Sequence, residues 1–226
     1  MIIGNGMIAK RFAKYAVNDK VIIFASGVSN SLETRVSEYE REEQLLSEIM
    51  EKHKDKLLVY FSTCSMYDSH AKNSAYVSNK LRFENMIRSV MGKYLVVRVS
   101  QIIGNAKNTT LVNFLVSKIR QGDHFDLWAK STRNLIDIDD VFYAVEYLID
   151  NGITNEIIHI ANSKMTPIVE LVCMLEKLFD KKANCTKLDK GDEYLQIPDD
   201  VVKYNLPVAK KFDDDYLYEV LKKYFS

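Results

Sequence analysis

The chain reads as an α/β protein built on a doubly wound parallel sheet, and three features predict it. Short apolar runs alternate with amphipathic helical segments along most of its length. Several of those runs, such as "KLLVYFST" (Lys56 to Thr63), are continuously apolar, as strands buried on both faces of a parallel sheet must be. A glycine turn with Gly4, Gly6 and Ala9 joins the first run to the first helix.

The elements follow in order. Met1 to Ile3 is a very short strand, and Ile8, Phe12 and Ala16 repeat at a helical spacing of four behind the glycines. "KVIIFAS" (Lys20 to Ser26) is a β-rich run. After a polar loop, Leu45, Leu46, Ile49 and Met50 line one face of a helix; Glu38, Glu40, Glu42 and Glu43 stand at its start and Lys52, His53 and Lys54 at its end, matching the helix dipole. The strand "KLLVYFST" precedes the helix "YVSNKLRFENMIRSV" (Tyr76 to Val90), and "KYLVVRVS" (Lys93 to Ser100) repeats the strand pattern. "NEIIHIAN" (Asn155 to Asn162) is one more strand. "TPIVELVCMLEKLF" is a helix with Thr166 as N-cap and Pro167 in its first position. From about Cys185 the pattern becomes patchy. A single unit over residues 1–226 is expected, with a main core over about 1–120 plus 134–165 and a substrate-side lobe over about 121–133 and 166–226.

Composition narrows the function classes. Lys plus Arg and Asp plus Glu number 31 each, and no stretch concentrates basic residues with interleaved aromatics, so neither nucleic acid nor a membrane surface is an expected partner. Hydrophobic residues make up 47% of the chain, enough for a buried core, yet charges interrupt every apolar run well short of a membrane span. Cys64, Cys173 and Cys185 lack the spacing of a zinc site or redox pair. A cytoplasmic protein with no metal site and no disulfide is expected.

The chemical signals are individually weak. The Gly4, Asn5, Gly6, Met7, Ile8 turn suits a dinucleotide pyrophosphate, whose charge the following helix N-terminus would favour, but the same residues serve ordinary strand-to-helix turns. The acid that normally binds the adenosine ribose about 20 residues on is missing; Ala25, Ser26 and Gly27 stand there instead. Tyr76 and Lys80 share one helix face. A unit charge ~4 Å away at an effective dielectric of ~20 supplies about 4 kcal/mol, enough to bring a tyrosine near neutrality, so Lys80 is expected to lower Tyr76. Tyr218 and Lys222 have the same spacing, so spacing alone does not decide. The strand end "STCSMYD" (Ser62 to Asp68) sets Tyr76 apart, because it brings small hydroxyls, Thr63 among them, to the sheet's C-terminal edge. Lys10 and Arg11 would suit a 2'-phosphate or simple solvation; His124 and His159 read as surface and core histidines; Phe125 and Trp128 read as packing anchors.

Taken together, "VIIFASGVSNS", "VYFSTCSMYD", "SAYVSNKLRFE", "VVRVSQIIGN" and "TRNLIDIDDVFYAVEYLI" resemble the extended short-chain dehydrogenase/reductase family, in its nucleotide-sugar epimerase, dehydratase and reductase branch. The resemblance covers most of the chain and implies a shortened Rossmann-like fold. Its second and third strands are missing, which leaves the order 1-4-5-6-7 with the first strand at an edge. It implies NAD or NADP as cofactor, held by Gly4, Asn5, Gly6, Met7, Ile8, Ala25, Ser26, Ser62, Tyr76, Lys80 and Val99. Thr63, Tyr76 and Lys80 take the catalytic roles, and Cys64, Ser65, Gln101 and Arg133 the substrate contacts, with Arg133 on a nucleotide diphosphate. A homodimer is the assembly common among relatives. Dehydration is disfavoured, since Cys64 and Ser65 replace the Asp-Glu pair of dehydratases. Two functions stay open: hydride transfer at C4 or C3 of a nucleotide-linked sugar, and a catalytically inactive relative that binds a nucleotide sugar or a protein partner.

Overall fold

The structure is a computed structural model that describes residues 1–105, 110–191 and 195–226. Its elements, in chain order, are β1 (Ile2–Ile3), α1 (Met7–Arg11), β2 (Val21–Phe24), α2 (Val36–Lys52), β3 (Leu57–Thr63), α3 (Ala75–Val90), β4 (Tyr94–Val99), β5 (Gln101–Ile103), α4 (Leu111–Gln121), β6 (Phe125–Trp128), β7 (Thr132–Arg133), β8 (Leu135–Asp137), α5 (Ile138–Asp150), β9 (Glu156–Ile160), β10 (Thr166–Pro167), α6 (Ile168–Phe179), β11 (Cys185–Leu188), α7 (Asp200–Lys203) and α8 (Tyr216–Phe225).

Five parallel strands form the central sheet in the order β1-β2-β3-β4-β9. The chain passes from the first helix straight to β2, so β1 is an edge strand and, among the described residues, no strand lies on its outer side, the order the sequence resemblance implies. Every residue of β3 is buried, as its unbroken apolar run requires of a strand covered on both faces. Alternate side chains face opposite layers. Ile22, Leu58, Tyr60 and Val96 meet Leu46, Met50, Phe83 and Ile87 of α2 and α3, whereas Ile23, Val59, Val97 and Ile158 meet α4, α5 and α6. The second core continues without a break through Phe125 and Leu127 into Tyr216, Leu217 and Leu221 of α8, so the late segments share it.

Two local expectations are corrected. Helix α1 ends at Arg11 and a tighter 3₁₀ helix covers Ala13–Val17, so Tyr15 is buried beside Phe12 and Ala16 is exposed. Thr166 does not cap α6. It pairs with Arg133 in β7, and Pro167, extended at φ −57° and ψ 137°, is the residue before the helix. Among the described residues no helix is long and apolar enough to cross a membrane, and no cluster of His, Cys, Asp or Glu could hold a metal ion.

Candidate active site

The C-terminal ends of β1, β2, β3, β4 and β9 form one edge, and most of the residues singled out by sequence gather there. At its β1 end, Gly4 has φ +124°, and a Cβ on it would lie 2.4 Å from the Ala25 carbonyl oxygen, so only glycine fits. Gly6 is the N-cap of α1, makes no side-chain cap, and faces open space. The amides of the first turn, at Met7 and Ile8, therefore receive no acceptor from the cap side chain. This turn fits a pyrophosphate. Ala25 is held to the edge by its amide, which donates to the Ile3 carbonyl, and the exposed Arg41 guanidinium reaches the Ser26 carbonyl and hydroxyl. Arg11 does not offer itself to a 2'-phosphate: it pairs with Asp139, and its guanidinium lies 3.6 Å from the centre of the Phe142 ring. Lys10 is exposed.

At the β3 end, Thr63 accepts the Ser65 amide and donates to the Ser65 hydroxyl, each at 2.9 Å. Val99 stands opposite it in register on β4. Helix α3 begins at the Ser74 cap, whose hydroxyl accepts the Val77 amide, and its first two turns carry Tyr76 and Lys80 to Thr63. The Thr63 hydroxyl lies near enough to the Tyr76 phenol to favour its ionised form. Thr63, Tyr76 and Lys80 thus converge, and all three are buried.

Lys80 differs from expectation. Its ammonium lies 5.9 Å from the centre of the Tyr76 ring, but its bonds go to Glu42 Oε1 (3.0 Å), the Tyr60 hydroxyl (3.1 Å) and the Phe61 carbonyl (3.4 Å). An ammonium has three N–H groups, so each is engaged. Glu42 is wholly buried and also accepts the Tyr60 hydroxyl at 2.7 Å and the Val28 amide at 2.6 Å. Gly27 closes the pair from above: a Cβ there would fall 2.5 Å from Lys80 Nζ and 2.6 Å from Glu42 Oε1. Tyr76 is accordingly not lowered. Burial pushes its phenol up to about 12, Thr63 opposes that, and the Glu42 charge adds to it. As it stands, the Lys80 end offers no donor to a nicotinamide ribose, although the glycine turn fits the phosphates.

Two more of the contacts expected from sequence are redirected inward. Ser62, expected at the cofactor, donates to buried Glu84, and Cys64, expected at the substrate, is buried with its thiol donating to the Arg98 carbonyl. Burial pushes that thiol well up, so it is no nucleophile. Both belong to a polar network that sequence reasoning missed. Ser62, Arg98 and His159 are direct cross-strand neighbours; Arg98 grips Glu84 at 2.7 and 3.0 Å, and His159 Nδ1 lies 2.7 Å from Asp200 of α7. Burial lowers His159, and its Nε2 accepts the Tyr67 hydroxyl at 3.0 Å. The pairing register alone creates this row, and register is not local in sequence.

On the substrate side, Gln101 and Arg133 sit half-buried on adjoining strand segments, with the Gln101 amide bonded to the Asn134 carbonyl and Arg133 Nη1 to the Thr132 carbonyl. A cleft lined by Asn134, Asn162, Met165, Gln196 and Ile197 opens past β9. Ile197 shares a small apolar cluster with Cys64, the residue that follows Thr63. Ser65 is half-buried at the same edge. Phe125 is a core residue, but Trp128 is not an anchor: it is 44% exposed, edge-on to His70. His124 is exposed and bonds Thr186.

Residues 6–161 match the model of the NAD dependent epimerase/dehydratase family. By sequence, no curated protein matches the chain significantly. Among solved structures, a dTDP-4-dehydrorhamnose reductase from Clostridium acetobutylicum is similar with a TM-score of 0.76 and 14% identity, over 99% of this chain and 96% of that one. A UDP-N-acetylglucosamine 4-epimerase from Methanobrevibacter ruminantium, in complex with UDP-N-acetylmuramic acid, is similar at 0.69 and 17%, over 90% and 74%. A UDP-glucuronic acid 4-epimerase from Bacillus cereus, in complex with UDP-glucuronic acid and NAD, is similar at 0.70 and 16%, over 97% and 80%. At these identities the likeness is one of fold.

Proposed function

The chain belongs to the NAD dependent epimerase/dehydratase family, and from that premise we propose that it is an NAD(P)-dependent oxidoreductase or epimerase acting at C4 or C3 of a nucleotide-linked sugar. The observation that carries this reading is the gathering of buried Thr63, Tyr76 and Lys80 at the C-terminal edge of the sheet. The similar structures named above act on nucleotide sugars, which supports the substrate class.

Gly4, Asn5, Gly6, Met7 and Ile8 would hold the dinucleotide phosphates, and the nicotinamide, when bound, supplies the hydride chemistry. The chain's own groups do the rest. Tyr76 exchanges a proton with the sugar oxygen, and Thr63, fixed by Ser65, orients that oxygen. Arg133 and Gln101 hold the diphosphate. Cys64 and Ser65 in place of an acid pair leave no group to expel water, so dehydration is not part of the reading.

The engaged Lys80 supports a second reading, a catalytically inactive Rossmann-like protein that binds a nucleotide sugar or a protein partner. Titration with NADH and with NADPH, followed by the fluorescence of the reduced cofactor, separates them. Saturable binding at micromolar concentration of either is expected; silence with both would overturn hydride transfer. Localisation in the cytoplasm and a homodimer complete the proposal, the latter checked by light scattering.

A further inference from the structure

Helix α2 carries a run of acids, and one of them does not behave as the others do. Glu40 is exposed and Glu43 pairs with Arg82 at the surface, whereas Glu42 is wholly buried, with both oxygens engaged by Val28, Tyr60 and Lys80. Burying a carboxylate is costly unless it is paired and hydrogen-bonded. Its position under Gly27, against the Lys80 ammonium that lies near the Tyr76 ring, calls for a role in the chemistry of that phenol.

We propose that Glu42 is a positioning residue that sets the resting state of the active-site tyrosine: by holding Lys80 in a closed ion pair it keeps the Tyr76 phenol a proton donor, the form that serves reduction of a nucleotide-linked keto-sugar. This rests on the hydride-transfer reading above. A positive charge left uncompensated 5.9 Å from the ring would favour the phenolate, the form needed to take a proton from a sugar hydroxyl. Closed by Glu42, the lysine does not exert that pull. The groups facing Tyr76 are Glu42 and Tyr39 of α2, Tyr60, Thr63 and Cys64 of β3 and its end, and Lys80 on its own helix. Burial first, and then the Glu42 charge, raise the phenol to about 12.

The step balances. With a reduced nicotinamide bound, which would supply the hydride to the carbonyl carbon and be oxidised, the C=O π bond would open, the Tyr76 O–H bond would break and an O–H bond would form on the sugar oxygen. The phenolate left behind takes a proton from solvent.

The test follows Tyr76 in the free protein by NMR of ring-labelled tyrosine, with Tyr76→Phe to assign the signal. In the wild type Tyr76 is expected not to titrate near neutrality, and in Glu42→Gln its midpoint should fall by about two pH units, the effect of a unit charge at that distance and an effective dielectric of ~20. An unmoved midpoint in Glu42→Gln, or a wild-type midpoint near neutrality, would overturn the proposal. Should Glu42→Gln not fold, the double variant Glu42→Gln, Lys80→Gln replaces the ion pair by a neutral one, and the proposal requires the wild-type midpoint; a displaced one overturns it. With cofactor, Glu42→Gln should move the alkaline limb of sugar-alcohol oxidation to lower pH. Failure of both reduced cofactors to bind defeats hydride transfer and the keto-sugar with it. A cofactor-binding protein whose Tyr76 ignores Glu42 defeats only the Glu42 assignment.

Discussion

Tyr76–Lys80 on α3 and Tyr218–Lys222 on α8 have the same spacing and the same residues, and the structure treats them in opposite ways. The first pair is buried at the end of a parallel strand, with Thr63 on the phenol and Glu42 on the ammonium. In the second, Lys222 is exposed and bonds Glu219 one turn away, and the charge over the Tyr218 ring, at 4.7 Å, comes from Lys177. Helical spacing makes two side chains neighbours. Chemistry requires in addition a strand end, exclusion of water and a counter-charge, and α3 has all three.

The largest expected effect is on turnover. Tyr76→Phe should lower kcat by about 10²–10⁴-fold, the usual contribution of a general acid, without unfolding the protein, while Tyr218→Phe leaves it unchanged. Steady-state kinetics on a keto-sugar nucleotide, with circular dichroism to verify folding, checks this. Equal losses in the two variants would erase the distinction between the helices.

Stability should separate them next. Lys80→Met strands Glu42 as an unpaired buried carboxylate and should cost about 3–5 kcal/mol, whereas Lys222→Met, at an exposed pair, should stay within about 0.5 kcal/mol. Urea denaturation measures both. A small loss in Lys80→Met would mean that water reaches Glu42.

How much of this was legible in the sequence follows from the same contrast. The strands were readable as mostly apolar runs, and their order came from the resemblance to a family whose second and third strands this chain lacks. Thr63, Tyr76 and Lys80 were readable because they sit close together in the chain. Glu42 was not, since it hides among Glu38, Glu40 and Glu43, which together look like a helix-dipole cluster. A signal was present: Tyr39, Glu42, Leu46 and Met50 fall on one stripe of α2 and are its buried residues. The Ser62–Arg98–His159 row had no such local sign, because strand register aligns residues far apart in the chain.

Alkaline stability sharpens the comparison further. Tyr76 is raised from 10.0 to about 12 in the folded protein. On raising pH the unfolded chain loses this proton first, so the contribution is complete below pH ~10 and lost as pH rises through the folded value. The loss amounts to about 2–3 kcal/mol by pH ~12. Tyr76→Phe should remove that share of the slope in denaturation curves taken at intervals across this range. Parallel slopes in wild type and variant would put the phenol on a solvated footing.

The smallest effect concerns what seals the α3 pair. Gly27 lies over Lys80 and Glu42 so closely that a methyl group there would meet both charged atoms. Gly27→Ala must push apart a pair whose partners are fixed by Tyr60, Phe61 and Val28, and should cost about 1–3 kcal/mol, as overpacking does elsewhere. Gly6→Ala is the matched control on the same edge: its added methyl faces open space, so stability should hold within about 0.5 kcal/mol. NADH affinity should reverse the order, falling more in Gly6→Ala, where the phosphates would come closest, than in Gly27→Ala. Paired denaturation and fluorescence titrations read both quantities. If Gly27→Ala were neutral in stability, the roof over Lys80 would be loose enough to let the lysine swing toward a ribose, and the difference between the two helices would be one of position and not of enclosure.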